Sequence, residues 1–116
     1  MVTGERAVAD DVCAALAAHG HTCEHTTRSE GVTTLAVGAD VVLVDLDMPD
    51  AAGRAVCRQL RAASGVPVLA LVARDEAHDR VGLLALGIDD YVVKPIDRHQ
   101  LRGRVDAIIG RAPPAR

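Results

Sequence analysis

A chain of 116 residues is sized for one domain. Hydrophobic residues make up 49% of it, with no Phe or Trp and one Tyr, so a core must be packed from Val, Leu, Ile and Ala, as suits a small parallel sheet covered by helices. The formal net charge of −3, with the basic residues dispersed, argues against direct nucleic-acid binding by this chain; no apolar run approaches the ~18 residues of a membrane span, and no segment reads as a signal peptide.

Val8, Val12 and Leu16 recur at four-residue intervals and predict a helix over residues 4–19, stopped by Gly20. A short strand is expected over residues 22–26 and a weakly signalled helix over 31–37. The apolar run Val41-Val42-Leu43-Val44 predicts a strand buried on both faces. A helix over residues 51–63 turns Val56, Cys57 and Leu60 inward and ends at Ser64-Gly65. Residues 66–72 form the next buried strand. A helix follows over 76–86, with Gly87 just past its end, then a strand over 91–93. Asp97 caps a last helix reaching about Ile109, with Leu101, Val105, Ile108 and Ile109 inward. Residues 1–110 form the domain, and residues 111–116, rich in Pro, Ala and Arg, are a tail or linker stub. Cys13, Cys23 and Cys57 are widely spaced and odd in number; they read as reduced, mostly buried thiols of a cytoplasmic protein. His19, His21 and His25 cluster near a turn that reads as solvated rather than metal-binding.

Asp45 closes the first fully buried strand, and Pro49 cannot continue it. A carboxylate therefore stands at the C-terminal end of a buried strand, where open α/β sheets place their ligands. A second strand tip carries Lys94-Pro95. The segments Asp45-Leu46-Asp47-Met48-Pro49, Val66-Pro67-Val68-Leu69-Ala70-Leu71-Val72-Ala73 and Gly87-Ile88-Asp89-Asp90-Tyr91-Val92-Val93-Lys94-Pro95 resemble, in order and spacing, the receiver domain of two-component response regulators. The winged-helix DNA-binding class is the most similar.

The resemblance implies a flavodoxin-like, doubly wound parallel sheet of α/β class, in the strand order 2-1-3-4-5. It also implies phosphorelay signal transduction. Asp45 would accept a phosphoryl group from a histidine kinase as an aspartyl phosphate, Lys94 would bind the phosphoryl oxygens, and Mg²⁺ would neutralise charge. The family's Mg²⁺ ligands correspond here to Asp45 and the backbone carbonyl of Asp47. The acidic pair that follows the family's first strand falls on Thr3 and Gly4, with Glu5 as a weak substitute, so Mg²⁺ binding is expected to be weak or absent. The switch hydroxyl falls on Val72, which cannot donate; a lost hydrogen bond to a charged group is worth about 1.5–3 kcal/mol. Tyr91 keeps the aromatic switch position. By the same resemblance Arg80, Asp89, Asp90 and Arg104 occupy charged positions on the face of the family's fourth helix, fifth strand and fifth helix, which carries output and homodimer contacts. Ala85 and Asp106 depart from that charge pattern.

Five helices but only four strands are counted, and the strand that is lacking or truncated is the first, central one. Alternatively, residues 6–9 form a short first strand and Asp10-Asp11 are the acidic pair. The spacing from Asp11 to Asp45 is too short for the family and favours the helix. Two functions compete: a receiver phosphorylated at Asp45, and a degenerate, phosphorylation-independent receiver that binds a protein or ligand. An enzyme with an aspartyl-phosphate intermediate is disfavoured, since Asp45 lacks an acid–base partner.

Overall fold

Strands β1 (Val42–Asp45) and β2 (Val68–Val72) are buried along their whole length. Runs of Val, Leu and Ala without polar alternation demand cover on both faces. With β3 (Asp90–Val93) they form a parallel sheet in the order β1-β2-β3. Val42 pairs with Val68 and Asp45 with Leu71, while Val72 pairs with Val93, so the C-terminal tips of all three strands lie together. The structure, a computed structural model, describes residues 1–3, 6–18, 20–23, 37–46, 52–73 and 80–111.

Alternate side chains divide the core. Val42, Val44, Val68, Ala70 and Val72 join Val56, Cys57 and Leu60 of α2 (Ala52–Ala63) and Leu83 of α3 (Arg80–Ala85). Leu43, Leu69, Leu71 and Val92 join Val12, Ala15 and Leu16 of α1 (Arg6–Ala17) and Leu101, Val105 and Ile108 of α4 (Arg98–Arg111). Helices thus cover both faces, as the doubly wound expectation requires.

The first strand is reduced to a stub. Val2 donates its N–H to Leu43 O and accepts from Asp45 N, both at 2.8 Å, making one parallel bridge to Val44. Residues 6–9 are helical, so the helix reading holds and the alternative first strand does not. Asp10 is exposed on α1, and Asp11 on the same helix is ion-paired with Arg98 of α4. Neither is the sheet-edge acidic pair of that alternative. Val2 stands beside β1 where a full first strand would pair. Residues 22–23 carry no strand; residues 24–26 lie outside the described residues, as does all but Val37 of the helix expected over 31–37.

The helix ends follow their local chemistry. At α1, Gly20 has φ of 82°, His21 N–H reaches Leu16 O at 3.0 Å and Gly20 N–H reaches Ala17 O at 3.1 Å. This pair of bonds is a Schellman motif. At α4, Asp97 Oδ1 accepts from His99 N at 2.8 Å and Gln100 N at 3.1 Å, satisfying free amides of the first turn. Gly53 permits α2 to lie against the end of β1: a Cβ there would meet the Asp45 carbonyl oxygen and stand 2.9 Å from Leu46 Cα. The predicted strand over 66–72 begins two residues late, at Val68, where the backbone N–H of Val68 is taken by the Asp89 carboxylate at 2.7 Å.

The cysteine expectation needs correction. Cys13 and Cys23 are joined in a disulfide, with Cα atoms 5.4 Å apart, and both are half-buried. The Schellman turn folds the chain back on α1 and brings Cys23 beside Cys13, a proximity that linear spacing does not reveal. Cys57 alone is a free, buried thiol among the described residues.

Candidate functional site

The tips of β1 and β3 are separated by β2, yet Lys94 reaches across the sheet's C-terminal edge to Asp45. Lys94 Nζ lies 2.9 Å from Oδ1 and 3.0 Å from Oδ2 of Asp45. Asp45 is 1% exposed and the Lys94 side chain 17%. A buried carboxylate is tolerated where it is paired and hydrogen-bonded. The backbone of Lys94 is fixed by its N–H bond to Val72 O at 2.8 Å, and the Lys94-Pro95 peptide is cis.

A third side chain completes the cluster. Thr3 Oγ1, fully buried, donates to Asp45 Oδ2 at 2.6 Å. Val2 in its bridge to Val44 sets the position of Thr3, so the stub of the first strand delivers a hydroxyl to the carboxylate. Asp45 and Lys94 offset each other in charge, and Thr3 is neutral. Thr3 was assigned no role by sequence reasoning beyond replacing an acid. Its bond to Asp45 spans 42 positions and depends on where the stub docks.

The donor set fits Mg²⁺ poorly. This ion prefers oxygen ligands in octahedral geometry and is held by one or two carboxylates. Among the described residues no group of three His, Cys, Asp or Glu side chains converges. Where the resemblance calls for an acid, Thr3 presents a hydroxyl whose proton is engaged by Asp45. Asp47 and Glu5, the other expected ligands, lie outside the described residues.

Val72 is fully buried in the layer beneath α2 and α3, so the strand tip offers no hydroxyl there. Tyr91 is half-buried against the same layer. On the expected output face, Arg104 Nη1 binds both carboxylate oxygens of Asp90, at 3.1 and 2.9 Å. Asp89 is occupied with Val68 N. Arg80 opens α3. Asp90, Tyr91, Val93, Gln100 and Arg104 line a shallow groove of about 370 Å³; it lies on this face and contains neither Asp45 nor Lys94. Of the three histidines clustered near the turn at Gly20, His21 Nε2 lies 3.3 Å from Asp106 Oδ1, and His19 and His25 are outside the described residues. Burial raises the Cys57 thiol to about 11 against the opposing pull of Arg61, Arg54 and Arg58.

A parallel sheet wrapped on both faces, with a carboxylate and a lysine paired across its strand tips, is the architecture of the flavodoxin-like receiver fold. The chain belongs to the response regulator receiver domain family, whose model matches residues 5–106. It is 42% identical over 115 residues to the sensory transduction protein RegX3 of Mycobacterium tuberculosis, covering 96% of this chain and 50% of that protein. It is 38% identical over 74 residues to the response regulator ArlR of Staphylococcus epidermidis, covering 64% of this chain and 34% of that protein. The receiver domain of the TMAO respiratory system response regulator TorR superposes with a TM-score of 0.85 at 28% identity, covering 97% of this chain and 95% of that one. The chain spans about half the length of the RegX3 relatives it matches. It is a response-regulator receiver module of two-component phosphorelay signalling, in a family where phosphorylation on Asp and Mg²⁺ at the phosphorylation site are typical.

Proposed function

We propose that Asp45 is the phosphoacceptor and Lys94 the phosphoryl-binding residue. The observation that carries this reading is the buried contact of 2.9 Å between Lys94 Nζ and the Asp45 carboxylate. A carboxylate oxygen of Asp45 attacks phosphorus in the phosphohistidine of a histidine kinase. The new P–O bond forms as the P–N bond breaks, and the leaving imidazole takes up a proton. Such transfer depends on positioning and charge neutralisation, and Lys94 supplies one positive charge at the acceptor. Mg²⁺ binding is weak or absent, because Thr3 presents a hydroxyl engaged by Asp45 where the family has an acid. The chain is a signalling module rather than an enzyme. It acts in the cytoplasm, where a histidine kinase would meet it; no helix among the described residues is long and apolar enough to cross a membrane. Residues 1–110 constitute the receiver and residues 111–116 a tail or linker stub.

Output runs through the face of α3, β3 and α4, where a homodimer forms and from which transcription is regulated. On α3, Val81 is 81% and Leu84 66% exposed, one turn apart on a helix surface. Asp90 of β3 and Arg104 of α4 form an ion pair, with Arg80 and Asp89 as the further charged positions. The chain itself makes no nucleic-acid contact.

A second reading, a degenerate receiver that binds a protein or ligand without phosphorylation, is favoured by Val72 and by the Thr3 bond to Asp45. Incubation with phosphoramidate followed by intact-mass measurement separates the two. A single phosphoryl adduct that disappears in Asp45→Asn supports the first reading. No adduct in the wild-type chain supports the second, and an adduct that persists in Asp45→Asn moves the acceptor elsewhere.

A further inference from the structure

We propose that Thr3 is a positioning residue that makes the Asp45 site metal-independent. It deepens the reading above, because it names the residue that removes Mg²⁺ from the site and predicts how to restore it. Three observations combine. Thr3 Oγ1 is fully buried and lies 2.6 Å from Asp45 Oδ2. Lys94 Nζ lies within 3.0 Å of both carboxylate oxygens. The stub that carries Thr3 is fixed by two backbone bonds of 2.8 Å between Val2 and the flanking residues of β1.

Between a hydroxyl and an ionised carboxylate, only the hydroxyl can donate. The Thr3 proton therefore points at Asp45, and the oxygen that a cation would coordinate already accepts from Thr3 and Lys94. A divalent ion entering here must break charge-assisted bonds and receives in return a neutral hydroxyl where a carboxylate would serve it better.

The charge balance agrees. Among the described residues of the site, Asp45 and Lys94 cancel, and Thr3 adds nothing. Phosphorylation replaces the carboxylate charge with a phosphoryl group of about −1.5 to −2, which leaves about one negative charge after Lys94 is counted. A site with two further carboxylates and one Mg²⁺ reaches the same balance, because the pair and the ion cancel. Absence of both family acids, at Thr3 and Gly4, and absence of the ion therefore leave the same net charge, about one negative, as the metal-loaded arrangement. Thr3 also returns to the site, from the opposite flank, a hydroxyl that Val72 cannot provide.

The test uses Mn²⁺ as a paramagnetic probe and phosphoramidate as donor, on the whole chain. Wild type is expected to give no saturable Mn²⁺ binding below about one millimolar, and its labelling rate in EDTA should lie within about twofold of that in Mg²⁺. Thr3→Asp should bind Mn²⁺ at least about tenfold more tightly and become Mg²⁺-stimulated. Thr3→Ser should retain wild-type behaviour, whereas Thr3→Val should label slowly in EDTA without gaining a Mn²⁺ site. Saturable wild-type binding below that threshold overturns the proposal, as does a Thr3→Asp protein with a native far-UV spectrum that gains no Mn²⁺ affinity. The wild-type titration decides the matter even where Thr3→Asp does not fold. Failure of every sample to label counts against Asp45 as acceptor, and the Mn²⁺ titrations then judge Thr3 alone.

Discussion

Val2 pairs with Val44 in parallel, exchanging bonds with Leu43 and Asp45 at 2.8 Å. One residue thus covers the edge of β1 where a full central strand would lie. Val2 is 1% exposed, so its side chain is as much a core element as those of the strands. Val2→Ala is expected to cost about 1–3 kcal/mol through lost burial and a cavity. Val2→Pro should cost more, since it also deletes the N–H donated to Leu43. Urea denaturation measures both. Equal stability of all three proteins would mean that the stub contributes nothing to the sheet.

Asp45 and Lys94 should behave as one unit. Removing either leaves the other charge buried without its main partner, which is costly. Lys94→Met and Asp45→Asn are each expected to destabilise the chain, and the double variant should lose less than the two losses added. A coupling energy of about 1–3 kcal/mol is expected for groups in direct contact. Strict additivity in a double-mutant cycle would show that the contact is not energetically coupled.

These two relationships mark where sequence reasoning ran out. The strand around Val42–Asp45 and that around Val68–Val72 were legible because unbroken apolar runs have few other solutions. Gly20 and Asp97 were legible as helix boundaries because caps are local chemistry. Asp45 and Lys94 stood out because each follows a strand and precedes a proline or a turn. Thr3 was not legible as a hydroxyl donor to Asp45. Its partner is 42 residues away, and no local pattern states where a three-residue stub will dock. The pairing of Cys13 with Cys23 was hidden for a related reason: it is made by the turn at Gly20, whose exit direction the sequence does not encode in any period.

The Cys13–Cys23 disulfide closes a short loop, with a sequence separation of 10. Loop-closure entropy for a ring of that size gives about 2–3 kcal/mol of stabilisation. Reduction with dithiothreitol, or Cys13→Ser with Cys23→Ser, should lower the unfolding free energy by about that amount and leave the fold in place, since α1 is held independently by Val12, Ala15 and Leu16. Mass spectrometry of the alkylated native protein reports the thiols directly. Alkylation of both cysteines without prior reduction would refute the bond. An unchanged denaturation midpoint after reduction would refute its contribution.

Cys57 gives a dependence on alkaline pH. Its side chain is fully buried among Val56, Leu60 and the β-strand valines. Desolvation raises the thiol from 9.0 to about 11, outweighing the lowering effect of Arg61, Arg54 and Arg58. The unfolded chain therefore releases this proton near pH 9, while the folded chain holds it until about pH 11. Wherever the unfolded state has lost the proton and the folded state has not, rising pH favours unfolding. The contribution is fully present below pH 9 and is lost progressively between pH 9 and about 11. A shift of this size corresponds to about 2–3 kcal/mol. Cys57→Ala removes the titration at a packing cost that does not depend on pH, so the difference in stability between wild type and variant should be flat below pH 9 and move in favour of the variant above it. Urea midpoints measured from pH 7 to 10.5 give that difference directly, because every other titrating group is common to both proteins. The same burial keeps the thiolate scarce, and native Cys57 should resist a thiol-specific reagent at pH 8 that modifies it promptly in urea. Prompt modification of the native protein, or a difference that does not change across the range, would mean that the thiol is open to solvent.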